Sequence, residues 1–163
     1  MATIQFKKGD DYLFKISQLE LRTKEHVLGP AIYEAGNIIA DAIRAELMAI
    51  PTDNRFIRNG EKVNGPNEYQ KTSLMLSLGI AKMQENEAGF YNIKIGFDGY
   101  NGIETKRWPN GQPNQMVARS VERGTSWLKA NPFVKRAVSK NRSRAVNVMK
   151  TVVDQKIYEI MRK

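Results

Sequence analysis

The stretch that most constrains the fold is Met116 to Val138, MVARSVERGTSWLKANPFVKRAV. Its pattern changes twice. Met116, Ala118 and Val121 open on an apolar and polar alternation, which predicts a strand. Gly124-Thr125-Ser126 predicts a turn. Asn131-Pro132 then predicts a helix start, since Asn131 can accept from free N–H groups and Pro132 suits the first helical turn. Beyond it, a stripe including Val134, Val138, Ala145, Met149, Val153 and Ile157 predicts one long amphipathic helix from Pro132 to about Met161.

That last segment is also where the charge collects. The chain of 163 residues carries a formal net charge of +9. Residues 132–163 hold nine basic side chains against two acidic ones, Asp154 and Glu159. Such an excess suits nucleic acid, an acidic membrane surface or an acidic protein partner. The solvated face of an amphipathic helix accounts for it equally well.

Upstream, Thr3 to Lys8 alternates and predicts a short strand. Asp10 or Asp11 then predicts the cap of a helix running to about His26 through Leu13, Ile16 and Leu19. Gly29-Pro30 predicts a break, with Pro30 starting a second helix that Pro51 ends. Ile32, Ala35, Ile39, Ile43 and Leu47 give that helix an apolar face. Ala35, Gly36, Ala40, Ala42 and Ala45 leave room for another element to approach closely.

Thr52 to Gln70 predicts a long polar loop, made basic at first by Arg55, Arg58 and Lys62. A short helix is expected from Lys71, capped by Thr72 or Ser73 and carrying Leu74 and Leu78. Ile80 to Gln84 and Phe90 to Phe97 predict two strands of an antiparallel hairpin, with Tyr91, Ile93, Ile95 and Phe97 on one face. Asp98 to Asn114 predicts a second polar loop. Trp108 within it is either tucked over the core or presented to a partner.

Several chemistries find no support. There is no cysteine and one histidine, His26, in a charged stretch. Cysteine-based metal or redox sites are therefore excluded, and a triad would have to use His26. No phosphate-binding loop, dinucleotide fingerprint or nucleophile elbow is present. Asp98 and Glu104 lie in a loop without a partner pattern. No enzyme activity, catalytic residue, cofactor or metal is expected. No apolar run approaches the roughly 20 residues that span a bilayer. The N-terminus lacks a signal-peptide core, so synthesis in the cytoplasm is expected.

The order V-E-x-G-T-S followed by N-P-F-V-K-R-A and a basic helix resembles the C-terminal signature of a phage family. This is the tail-completion or neck family, which joins head to tail in long-tailed bacteriophages. Val121, Glu122, Gly124, Thr125, Pro132, Phe133, Arg136 and Ala137 match its pattern, and Arg123 stands where an aromatic is usual. Thr72, Leu74 and Ile80 resemble the family's threonine-glycine-x-leucine motif and following strand, with Ser73 in place of glycine.

The resemblance covers most of the chain and implies one α+β domain over residues 1–163. A small antiparallel sheet of about four strands would pack against two or three long helices. It implies a structural protein of the virion that forms a ring, typically of six copies. The ring would terminate the tail or join it to the head, and would meet the tail-tube protein, head-completion or connector proteins and passing DNA. The loops at about 52–70 and 98–114 would reach neighbours, with Arg55, Arg58, Lys62 and Trp108 as candidate partner contacts. The alternative is a basic nucleic-acid-binding module of a phage or prophage.

Overall fold

The computed structural model describes residues 2–5, 21–55 and 60–162. Its elements in chain order are β1 (Ala2–Gln5), α1 (Leu21–Ala49), α2 (Glu68–Ser77), β2 (Leu78–Ile80), β3 (Gln84–Glu85), β4 (Tyr91–Phe97), α3 (Asn114–Arg123) and α4 (Phe133–Met161). The fold is α+β, as the sequence predicts: four antiparallel strands with helices packed against them.

β4 is the centre of the sheet. It alternates buried Tyr91, Ile93 and Ile95 with more exposed residues, the period that a half-covered strand requires. β1 pairs along one edge, Ala2 opposite Ile95 and Gln5 opposite Asn92. β2 and β3 share the other edge. From Leu78 opposite Phe97 to Gln84 opposite Asn92, the outer chain advances one residue more than β4. That extra residue is a bulge at 81–83, and it splits the one strand expected at Ile80 to Gln84 into two. The Tyr33 hydroxyl on α1 accepts from the Met83 N–H at 2.8 Å, satisfying a donor the bulge removes from the ladder.

α1 crosses the buried face of the sheet. At Gly36 the approach is so close that an added Cβ would strike Ile93. α4 lies along α1 on the other side. Glu46, near the end of α1, meets Arg136 and Lys140 near the start of α4 at 2.8 and 2.7 Å, and Ile38 shares a furrow with Arg144. The two helices therefore run antiparallel. Their shared core includes Ile39, Ile43, Leu47, Ala137, Ala145 and Met149, all buried.

Three sequence expectations are corrected here. The break at Gly29-Pro30 does not occur: α1 is continuous from Leu21 to Ala49 with Pro30 inside it. Val27, Leu28, Ala31 and Ile32 are all buried around that point, while Pro30 is exposed. Packing on one side carries the helix through, and the ring and the bond it removes sit on the wet side. The helix expected from Asp10 or Asp11 falls mostly on residues 6–20, outside the described residues, as do Phe6 to Lys8 of the expected first strand.

The strand expected at Met116 is instead α3. Its buried residues, Asn114, Val117, Ala118 and Val121, follow the spacing of a helix face rather than a strand. Finally, α2 opens before Lys71. Asn67 is its cap, accepting from the Gln70 N–H at 2.7 Å while the Gln70 side chain accepts from the Asn67 N–H at 3.3 Å. Thr72 and Ser73 lie within the helix and cap nothing.

Candidate assembly site

The residues of the C-terminal motif converge on one corner, where α3 hands the chain to α4. α4 starts with an N-cap, Pro132, that supplies no side-chain acceptor. Helix starts leave four N–H groups without partners. Glu122 on α3 fills that need from outside the helix: its two carboxylate oxygens accept from the N–H groups of Val134 at 2.9 Å and Lys135 at 3.1 Å. A negative charge there also meets the positive pole of α4. Asn131, expected to do this work, does not cap. Its side-chain oxygen accepts from Arg136 at 2.6 Å.

The turn between the helices follows from Gly124 and Thr125. Gly124 has φ +74, and a Cβ there would lie 2.7 Å from the Ala130 nitrogen, so only glycine fits. The Thr125 hydroxyl accepts from the N–H groups of Trp127 and Leu128 at 3.3 and 3.0 Å, closing the turn. Val121, Leu128, Phe133 and Ala137 are buried and pin the corner to the core. Phe133 meets Phe97 edge to face at 6.0 Å, tying the start of α4 to the end of β4.

Arg136 donates to Glu46 at 2.8 Å, and Lys140 donates to the other oxygen of the same carboxylate at 2.7 Å. These two bonds, Lys140 first, hold the Glu46 carboxyl below its usual value. The upstream motif residues lie apart from this corner. Leu74 is fully buried and Thr72 is exposed on α2. Ser73 donates to the buried Asn114 at 2.8 Å, which joins α2 to the start of α3.

Both predicted loops are extensively braced in their described parts. In the first, which ends at Asn67, Val63 pairs with the turn: its N–H donates to Trp127 at 2.8 Å and its carbonyl accepts from Lys129 at 3.0 Å. Asp53 accepts from Arg55 and from the Asn64 N–H, and these bonds, Arg55 foremost, hold its carboxyl well below the usual range. Gly65 passes so near the Pro51 carbonyl that a side chain would clash. Lys71 donates to the carbonyls of Met48 at 2.7 Å and Ile50 at 2.6 Å, closing the end of α1. The second loop folds around buried Asn101, whose side-chain oxygen accepts from Ile103 and Gln112.

The candidate partner contacts fare differently. Arg55 is exposed but committed to Asp53, and Lys62 is exposed. Arg58 lies outside the described residues. Trp108 is half-buried beneath the Arg107 guanidinium, 5.5 Å from its ring centre. Trp127 is more exposed, at 51%. It stands in the spacer between Gly124-Thr125-Ser126 and Asn131-Pro132, where no pattern in the sequence marks it.

The corner also forms one wall of a groove of about 1330 Å³ between α3 and α4. Ile39, Ile95 and Phe97 lie at its base, and half-buried Met116, Val134 and Val138 form its sides. Arg119, Arg123, Lys135 and Arg142 stand exposed around it, and none of the four makes an ion pair with a described residue. The sequence places these cations on two helices, but no spacing rule relates them. Among the described residues no three His, Asp or Glu side chains gather to hold a metal, and no helix is long and apolar enough to cross a membrane.

No protein-family model matches the chain, and neither does a curated protein or a solved structure.

Proposed function

We propose that the protein is a structural virion subunit of the head–tail junction. It forms a ring that terminates or completes the tail and joins it to the head. The observation that carries the reading is the division of labour at the corner. Glu122 caps a helix, Gly124 and Thr125 set a turn, and Val121 and Phe133 anchor both to the core. The residues that carry the family resemblance thus act together to fix the angle of α4. A ring subunit needs that kind of fixed geometry, because small errors in angle prevent closure.

The test is electron microscopy of cognate tail tubes incubated with the purified protein. Density at one end of each tube, with elongation stopped, is the expected result. Bare tube ends at saturating protein would contradict the proposal.

A second reading has its own support. Arg142, Arg144 and Lys150 on α4 are exposed and form no ion pair with a described residue. A nucleic-acid-binding module would use them on phosphates. Tight duplex binding by the monomer, falling steeply with salt, would favour that reading.

A further inference from the structure

We propose that the acidic tip of the β3–β4 hairpin of one copy seats in the basic groove between α3 and α4 of the next. The inference rests on the ring reading and names the contact that builds the ring.

The tip is an acidic island on a basic chain. Between the exposed Lys82 and Lys94 that flank it, the segment from Met83 to Ile93 holds two carboxylates, Glu85 and Glu87, and no cation. Both are exposed, and neither pairs with a cation among the described residues. The turn beneath them is closed by hydrogen bonds. The Asn86 side-chain oxygen accepts from the N–H groups of Ala88 and Phe90 at 3.1 and 2.9 Å, and its own N–H donates to Phe90 at 2.9 Å. Gly89 completes the turn at φ +76. Exposed Ala88 and half-buried Phe90 add apolar surface beside the carboxylates.

The groove offers the complement. Its apolar sides are half-exposed; the Glu122 carboxylate in its lining is taken up by the N–H groups of Val134 and Lys135, and the four cations around it are what two carboxylates would meet. At about 1330 Å³ it exceeds the roughly 300–1,000 Å³ of small-molecule clefts, which suits a piece of folded chain.

Tip and groove lie at opposite ends of β4. The tip precedes Tyr91, whereas Ile95 to Phe97 belong to the groove. The four steps from Tyr91 to Ile95, at about 3.4 Å each, separate the tip from the near edge of the groove by roughly 14 Å. A chain therefore cannot seat its own tip. Two copies related head to tail can, and a heterologous contact of that kind closes into a ring or continues as a filament.

The test is a charge swap, read by light scattering behind a sizing column, with circular dichroism to check folding. One variant carries Glu85→Lys with Glu87→Lys, and the other Arg119→Glu with Arg142→Glu. Each alone should lose assembly. Mixed in equal amounts they should recover it, because each reversed tip then meets an opposite groove. A second assay uses the absence of cysteine: Glu87→Cys with Arg142→Cys should give a ladder of cross-linked multimers with a bifunctional maleimide.

If the wild type assembles and both reversed variants assemble equally well, this contact is overturned while the ring reading stands. If the wild type stays monomeric and leaves tubes bare, both fall. If the groove takes an added acidic peptide while the variants still assemble, the groove belongs to another partner and the inference is overturned.

Discussion

Glu122 is half-buried at the start of a helix that begins 11 residues further along the chain. Replacing it with alanine leaves the N–H groups of Val134 and Lys135 to find water in a crowded corner. Loss of a cap costs about 0.5–2 kcal/mol, and the upper half of that range is expected here because two donors are orphaned. For a chain of this size the melting temperature should fall by several degrees. Glu122→Gln, which keeps one acceptor oxygen, should lose about half as much. The residue stands out in the sequence, but its job does not. A cap is sought next to the helix it serves, and Asn131 was the local candidate. The acceptor comes instead from the preceding helix, through a turn that only Gly124 allows.

At the same scale, Asp53 gives a dependence on pH. Its carboxyl is held below its ordinary value by Arg55 and then by the Asn64 N–H. A depressed folded value means that the unfolded chain takes up the proton first as pH falls. The stabilisation is therefore complete above the unfolded value of about 3.9 and is lost as pH drops toward the lower folded one. Asp53→Asn should be less stable than the wild type at neutral pH, with the gap closing below about pH 4. Urea midpoints of both proteins across pH 2.5 to 7 measure it. A gap that does not change with pH would show that the carboxylate's charge is not what holds this loop.

Among the elements, α1 shows where local rules lose to packing. Gly29-Pro30 is a strong break signal, yet the residues on either side lie buried against the core and the helix runs through. Pro30→Ala should restore the backbone bond to the His26 carbonyl and raise stability. The gain should be about 1 kcal/mol, less than the roughly 3 kcal/mol of an interior proline, because His26 and Pro30 are on the exposed side, where solvent can reach the carbonyl. Thermal melts of the two proteins give the answer, and a lower melting temperature for the alanine variant would contradict this account of α1.

α3 failed for a different reason. Met116, Ala118 and Val121 do not separate a strand from a helix, whereas Val117 with Val121, four residues apart and both buried, does. β4 was legible because its period of two is clean over seven residues. The bulge before it was not, because Tyr33 serves the orphaned Met83 N–H from 50 residues away.

For the whole molecule, periodicity marks the long helices and the central strand, whereas the α+β arrangement of a small sheet against those helices is what the family resemblance implies. The groove was not readable, since its cations and its apolar sides come from α1, β4, α3 and α4 and meet only after folding. The loops were readable as loops, but their bracing was not. Val63 and the turn at 125–129 find each other across the fold, without a pattern in either segment.

Assembly through exposed charges has a signature of its own. The proposed contact is screened by salt, with a Debye length falling from about 10 Å at 0.1 M to about 3 Å at 1 M. The most direct measurement is thus the mass of the wild-type protein in solution, by light scattering behind a sizing column, at low and at high salt. A closed ring predicts one defined multiple of 18.5 kDa at low salt, shifting toward the single-chain mass as salt rises. A mass of 18.5 kDa at every salt and protein concentration, with tail tubes present or absent, would contradict the account.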